Sequence, residues 1–121
     1  MDALVADALR KDRLVDITTT GRRSGAPSRK EIVFHHLDGE IYLTGIPGRR
    51  DWYANMLANP AFTFHLKQSA TADLAARAHP ITSEQEKRLV LTEILPSMNR
   101  AHELEKWVAG SPLVRVEFLD Q

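Results

Sequence analysis

Apolar residues along the chain recur with two different periods, and each period marks an element. In "DALVADALRK", Leu4, Val5 and Leu9 fall on one helical face with Ala8 beside them, which predicts a short amphipathic helix. "RLVDITTT" then turns β-branched and reads as a strand. "GRRSGAPS" is punctuated by Gly and Pro and reads as a turn. "RKEIVFHHL" and "EIYLTGI" read as two strands joined at Asp38-Gly39, a hairpin signal because Gly accepts the positive φ that a type I′ turn needs. In "PGRRDWYANMLANP", Asp51 is placed to cap a helix that Asn59-Pro60 stops.

The second half of the chain alternates in the same way. "AFTFHLK" puts Phe62, Phe64 and Leu66 on one face of a strand, and the Ala-rich "ATADLAARAHPI" reads as its neighbour. "TSEQEKRLVLTEIL" opens on Thr82 or Ser83 with acidic residues behind it, as a capped helix does, and Leu89, Ile94 and Leu95 supply its apolar positions. Pro96 breaks that helix, and "MNRAHELEKWVAG" predicts another ending at Gly110. In the last strand, "LVRVEFLD", Leu113, Arg115, Glu117 and Leu119 face one way and Val114, Val116 and Phe118 the other. The sum is about six strands and four short helices, a mainly β (α+β) chain in one domain over residues 1–121. Antiparallel strands in so small a chain must cover their edges, so the pattern predicts a small, partly open barrel with helices on its outside.

Composition narrows this picture. The chain has 121 residues, 43% hydrophobic and 26% charged, as in an ordinary globular domain. Sixteen basic and sixteen acidic residues balance, which argues against a surface built wholly to trap polyanions. No cysteine is present, so disulfides and thiolate metal sites are excluded. The N-terminus lacks a cationic start followed by an apolar run, and no stretch approaches the roughly 20 apolar residues of a membrane span. A cytoplasmic protein is expected.

Against that neutral background "TTTGRRSGAPSRK" stands out, with Arg22, Arg23, Arg29 and Lys30 in and just after one turn. Gly21 and Gly25 permit a nest of backbone N–H groups, and Arg22, Arg23 and Ser24 add donors at the same place. Arg suits phosphate or carboxylate because its planar fork donates paired hydrogen bonds. The alternative is a solvated basic turn without a ligand. In the following cluster Trp52, Asn55, Met56 and Asn59 share a helical face. Trp52 and Asn55 suit a planar ring and its polar edge, unless Trp52 is simply a core anchor. The five histidines show no i, i+4 pair, so no metal site is expected. No serine lies in a nucleophile elbow, and neither GxGxxG nor GxxxxGK[ST] occurs.

Taken together, "DITTTGRRSG" and "EIVFHHLDGEIYLTGIPGRRDWYANMLANPAFTFHLK" resemble the deazaflavin (F420)-dependent nitroreductase and quinone reductase family, among the flavin-binding split β-barrels that include the pyridoxamine-phosphate-oxidase-like proteins. The resemblance is close over residues 16–67 and loose at "WVAGSPLVRVEF". It implies a split barrel and a bound F420, an 8-hydroxy-5-deazaflavin with a phosphate-bearing tail. It implies that Arg22, Arg23, Ser24 and Arg29 hold the tail, and that Thr44, Gly45, Ile46, Pro47, Gly48, Trp52 and Asn55 flank the ring. It also implies an oxidoreductase passing hydride to a quinone, nitro compound or enone, with Met98, His102 and Trp107 as candidates for the substrate side. No catalytic acid or base is assigned, because the cofactor carries the hydride chemistry.

This chain departs from its relatives at "GAPSR", where Ser28 stands in place of a more usual arginine or Arg29 is shifted by one, and a one-residue shift in a strand reverses the face. In "TGIPGRR", Arg49 or Arg50 takes the place of a loop lysine, and "SMNRAHELEKW" has no tyrosine. Three rivals remain open at this level: FMN in the same fold, a non-catalytic coenzyme carrier, and a small barrel binding single-stranded nucleic acid. The last needs stacking aromatics along a basic groove, and aromatics are only 7% of the chain, so nucleic acid is not expected. A homodimer is compatible with the split-barrel resemblance.

Overall fold

The computed structural model describes residues 1–119. Six strands form a closed barrel: β1 (Leu14–Thr20), β2 (Pro27–Leu37), β3 (Glu40–Thr44), β4 (Ala61–Leu66), β5 (Ala72–Pro80) and β6 (Leu113–Phe118). Their order around the barrel is β1-β2-β3-β6-β5-β4, and every pairing is antiparallel. The barrel is therefore closed and not partly open, because β1 pairs with both β2 and β4 and leaves no seam. The last strand stops at Phe118, and Asp120, expected at its end, lies outside the described residues.

Alternation decides which side chains fill the lumen. Val15 and Ile17 of β1 and Phe64 of β4 are fully buried, with Phe62, Leu66, Val114 and Val116 beside them. Phe64 meets Phe34 and Phe118 edge to face at 5.3 and 5.2 Å. Two helices close the ends. Helix α1 (Ala3–Lys11) is capped by the Asp2 carboxylate, which accepts from the N–H groups of Leu4 and Val5. It buries Ala8 and Leu9, whereas Leu4 is 73% exposed, because the narrow lumen end admits only one edge of the helix. Helix α2 (Asp51–Ala58) sinks Trp52 and Met56 into the same core. Asp51 is the first residue of α2 and not its cap; Arg50 holds the cap position without a side-chain bond.

A second core lies outside the barrel. Helices α3 (Glu84–Ile94) and α4 (Leu104–Gly110), with Leu95 just after α3, pack Leu91, Ile94, Leu95 and Trp107 onto the outward residues Leu37, Tyr42 and Leu113. Ser83 caps α3 by accepting from the Glu86 N–H. Leu89 is 67% exposed and takes no part. Pro96 turns the chain into a short 3₁₀ segment, Leu95–Met98, and Asn99 adopts a left-handed conformation, so only the end of "MNRAHELEKWVAG" is α-helical. The outer face of β1 and β4 has polar groups instead: Lys67 bridges Asp16 and Glu31, Arg29 reaches Asp16, and His65 links Thr18 to Asp73. An antiparallel sheet tolerates such a wet face. No helix among the described residues is long and apolar enough to cross a membrane.

Candidate functional site

The site begins at the turn between β1 and β2. Asp38-Gly39 makes the β2–β3 hairpin as expected, with φ of 50° and 80°. The β1–β2 connection is wider and needs external support. Gly21 donates to the Ala26 carbonyl at 2.8 Å, Gly25 takes φ 71°, and Ser24 Oγ accepts from the Ala26 N–H. Asn55, buried on α2, holds the turn from below. Its Oδ1 accepts from the Arg22 backbone N–H at 3.1 Å and from Arg22 Nη1 at 3.0 Å, while Nδ2 donates to Thr19 Oγ1 at 3.1 Å. The Arg22 N–H is thus committed to Asn55 and is not a free member of a nest. Asn55 acts through Arg22.

The loop from Gly45 to Arg50 forms the opposite wall. Thr44 donates its hydroxyl to the Pro112 carbonyl at 2.6 Å, and the Gly48 N–H bonds to the Gly110 carbonyl at 3.0 Å. Arg50 folds back and donates to the carbonyls of Ile46 and Arg49 at 2.6 and 2.8 Å. At Gly48, whose φ is 130°, a Cβ would come within 3.2 Å of Arg50 Nη1, so a side chain there would push the guanidinium away. The loop is pinned from two sides, and Ile46 is left 54% exposed at its tip.

Between these walls lies a cavity of about 520 Å³, lined by Arg22, Arg23, Lys30, Arg49, Arg50, Asp51, Tyr53, Ala54 and Leu57. Five cations face one carboxylate there. Asp51 is exposed and reaches Arg22 at 3.3 Å. Among the described residues Arg23, Lys30 and Arg49 have no acidic partner, and Arg50 bonds only to carbonyls. A second concavity of about 300 Å³ lies on the other side of the same turn and shares Arg22 and Arg23. A cluster of unneutralised cations repels itself, and an anion relieves that. The arrangement can hold a phosphate or a pair of carboxylates.

The sequence-derived candidates divide on this geometry. Arg22 and Arg23 line the cavity; Ser24 lies in the neighbouring concavity and shapes the turn. Arg29 is turned away: it shares its face with Asp16, to which it donates at 3.0 Å. Lys30, one residue on, lines the cavity instead, because it pairs with the lumen residue Ile17 and alternation reverses the face. Thr44, Gly45, Ile46, Pro47 and Gly48 form the loop that positions Arg49 and Arg50. Trp52 is 5% exposed and is a core anchor without an open stacking face. Met98, His102 and Trp107 line none of this cavity. Met98 and Trp107 belong to the outer core, Trp107 being 1% exposed, and the exposed His102 sits beside Glu103. Lys30, noted in the basic turn but given no role there, and Tyr53 and Leu57 were not among the sequence-derived site residues. The parity of Lys30 with Phe34 and the i, i+4 spacing of Tyr53 and Leu57 were the available signals. Among the described residues no group of three or more His, Asp or Glu side chains could hold a metal ion.

Comparisons with known proteins bear on what fills this cavity. A family model described as F420H(2)-dependent quinone reductase matches residues 2–110. Among solved structures, a conserved hypothetical protein from Mycobacterium tuberculosis, Rv2991, is similar with a TM-score of 0.69 at 18% identity, over 98% of this chain and 81% of that one. An FAD-binding protein from Mesorhizobium loti gives 0.66 at 16% identity, over 98% and 90%. A NimC/NimA family protein from Clostridium acetobutylicum gives 0.63 at 13% identity, over 93% and 78%. At these identities the structures establish the shared split-barrel fold. No curated protein matches the chain.

Proposed function

The chain belongs to the F420H(2)-dependent quinone reductase family, an oxidoreductase family whose cofactor is F420, and on that premise we propose that the cationic cavity receives the charged tail of the coenzyme. The supporting observation is the set of five cations around one cavity, four of them without an acidic partner among the described residues. A phosphate-bearing tail supplies the charge they lack. FMN is not required to account for the site.

When bound, the deazaflavin supplies a hydride. The protein's part is to bind and orient. Arg22 is fixed by Asn55 and Asp51 and offers a preset fork to an anionic oxygen. Arg23, Lys30 and Arg49, held by no carboxylate, keep their donors available to the ligand. Arg50 keeps its loop folded while its charge contributes to the cavity field. Leu57 and Ala54 give one wall an apolar surface that excludes water from the stem of the tail.

We infer a quinone as the acceptor, with nitro compounds and enones as further hydride acceptors of similar electrophilicity, in the cytoplasm. A second copy of the chain is a candidate partner; one similar solved structure, 20% identical with a TM-score of 0.56, is described as a domain-swapped dimer. The test is an anaerobic assay of reduced F420 with a soluble quinone, followed by the return of the oxidised coenzyme's absorbance. Quinone-dependent oxidation that falls at least tenfold in kcat/KM for Arg22→Ala and Arg23→Ala supports the reading. Tight F420 binding with no turnover on quinones, nitroaromatics or enones would make the protein a carrier instead.

A further inference from the structure

The cavity has one wall unlike the others. Along α2, Tyr53, Ala54 and Leu57 face the cations, and Tyr53 is the one uncharged polar side chain that lines the cavity. Its ring is set by Trp52, which meets it edge to face with centroids 6.0 Å apart and planes at 82°. Trp52 is itself locked in the barrel core, so the Tyr53 ring inherits a fixed place. The Tyr53 hydroxyl makes no hydrogen bond to any of the described residues. Partial burial raises its pKa above the ordinary 10.0, so it is a proton-bearing donor across the neutral range.

The five cations around Tyr53 offer its hydroxyl no side-chain acceptor, since Arg and Lys only donate. Asp51, the one carboxylate of the cavity, is engaged with Arg22. The Tyr53 hydroxyl is accessible and bonded to none of the described residues, so it is free to donate to an oxygen that a ligand brings into the cavity. We propose that Tyr53 is a specificity-determining residue of the coenzyme site, donating a hydrogen bond from its hydroxyl to an anionic oxygen of the coenzyme tail. This rests on the reading of the cavity as the tail site. The cations act over distance and accept many anions; the phenol acts at contact and fixes one orientation. That division separates the two contributions experimentally, because salt screens the first far more than the second.

The chain has two tyrosines, Tyr42 and Tyr53, and Tyr42 packs in the outer core. Protein labelled with 3-fluorotyrosine therefore gives two ¹⁹F signals, assigned by Tyr53→Phe. Titration with oxidised F420 is expected to shift the Tyr53 signal along a saturable curve and leave Tyr42 in place. Tyr53→Phe is expected to weaken F420 binding about tenfold. Its dependence of Kd on salt should match wild type, whereas Arg23→Ala should show a shallower one. Wild-type binding with Tyr53→Phe within twofold, or with a Tyr53 signal that does not move, overturns this assignment and leaves the coenzyme site standing. Failure of the wild type to change the intrinsic fluorescence of F420 at all overturns both.

Discussion

Asn55 uses its whole amide to hold one turn. Replacing it with alanine removes the partner of the buried Thr19 Oγ1 and of the part-buried Arg22 N–H. Asn55→Ala should lower stability by about 2 kcal/mol in urea unfolding and weaken F420 binding as well. Arg23 and Arg49 predict the opposite separation. Neither side chain has a hydrogen-bond or ion-pair partner among the described residues, so their alanine variants should unfold within about 0.5 kcal/mol of wild type yet bind F420 several-fold more weakly. His35 belongs to stability alone. Burial first, and Arg13 second, push its pKa down to about 4 from 6.5. The unfolded chain takes up this proton as pH falls below 6.5 and the folded chain does not, so the contribution is complete above pH 6.5 and is lost as pH falls toward 4. The loss is at most about 3 kcal/mol. His35→Gln should flatten the stability difference between pH 7 and pH 5, measured as the shift in urea midpoint.

At the scale of elements, the sequence specifies structure directly where a local rule has no competitor. The Asp-Gly hairpin, the Asn-Pro stop after α2 and the Ser83 cap of α3 each depend on residues within one turn of chain. Ser83→Ala should therefore cost about 1 kcal/mol, visible as a lower thermal midpoint. The errors arise where two local rules compete or where neighbours decide. Asp51 can start a helix as cap or as first residue, and Arg50 took the cap position because its side chain folds back over the loop. Leu4 and Leu89 sit on helices whose buried faces are narrower than their apolar faces. The expected helix after Pro96 was broken by Asn99, whose left-handed backbone bonds back to Pro96. Trp107 illustrates the cost of reading function into an aromatic: its large apolar surface was needed to seat α4 on the sheet. Trp107→Ala should destabilise by about 3–5 kcal/mol, so any loss of activity in it must be judged against its unfolding curve.

For the whole molecule, a neutral chain carries a local field. Sixteen positive and sixteen negative residues cancel in sum, but the acids pair off elsewhere, as at Lys67 with Asp16 and Glu31 or Arg88 with Glu84 and Glu105. The cavity gathers five cations around one carboxylate, so the balancing excess of acids lies on the rest of the chain. F420 affinity should fall several-fold between about 0.05 and 0.5 M salt, measured by coenzyme fluorescence.

By itself the sequence determined the six strands, the lumen-facing residues, the turn chemistry and the presence of a basic turn, since each depends on periodicity or on residues adjacent in the chain. The motif pairing of that turn with the tryptophan-asparagine helix also pointed to the family. Tertiary structure alone decided which cations converge. Closing the barrel turns the Lys30 face of β2 and not the Arg29 face toward the cavity, and brings Arg49, Arg50 and Tyr53 from a distant loop and helix to the same place. It also decided that Trp52 anchors the core and that Asn55 works through Arg22. Those outcomes depend on distances between residues far apart in the chain, as Arg22 is from Asp51 (29 positions) and Asn55 (33 positions), which no local pattern encodes and only the packed barrel sets.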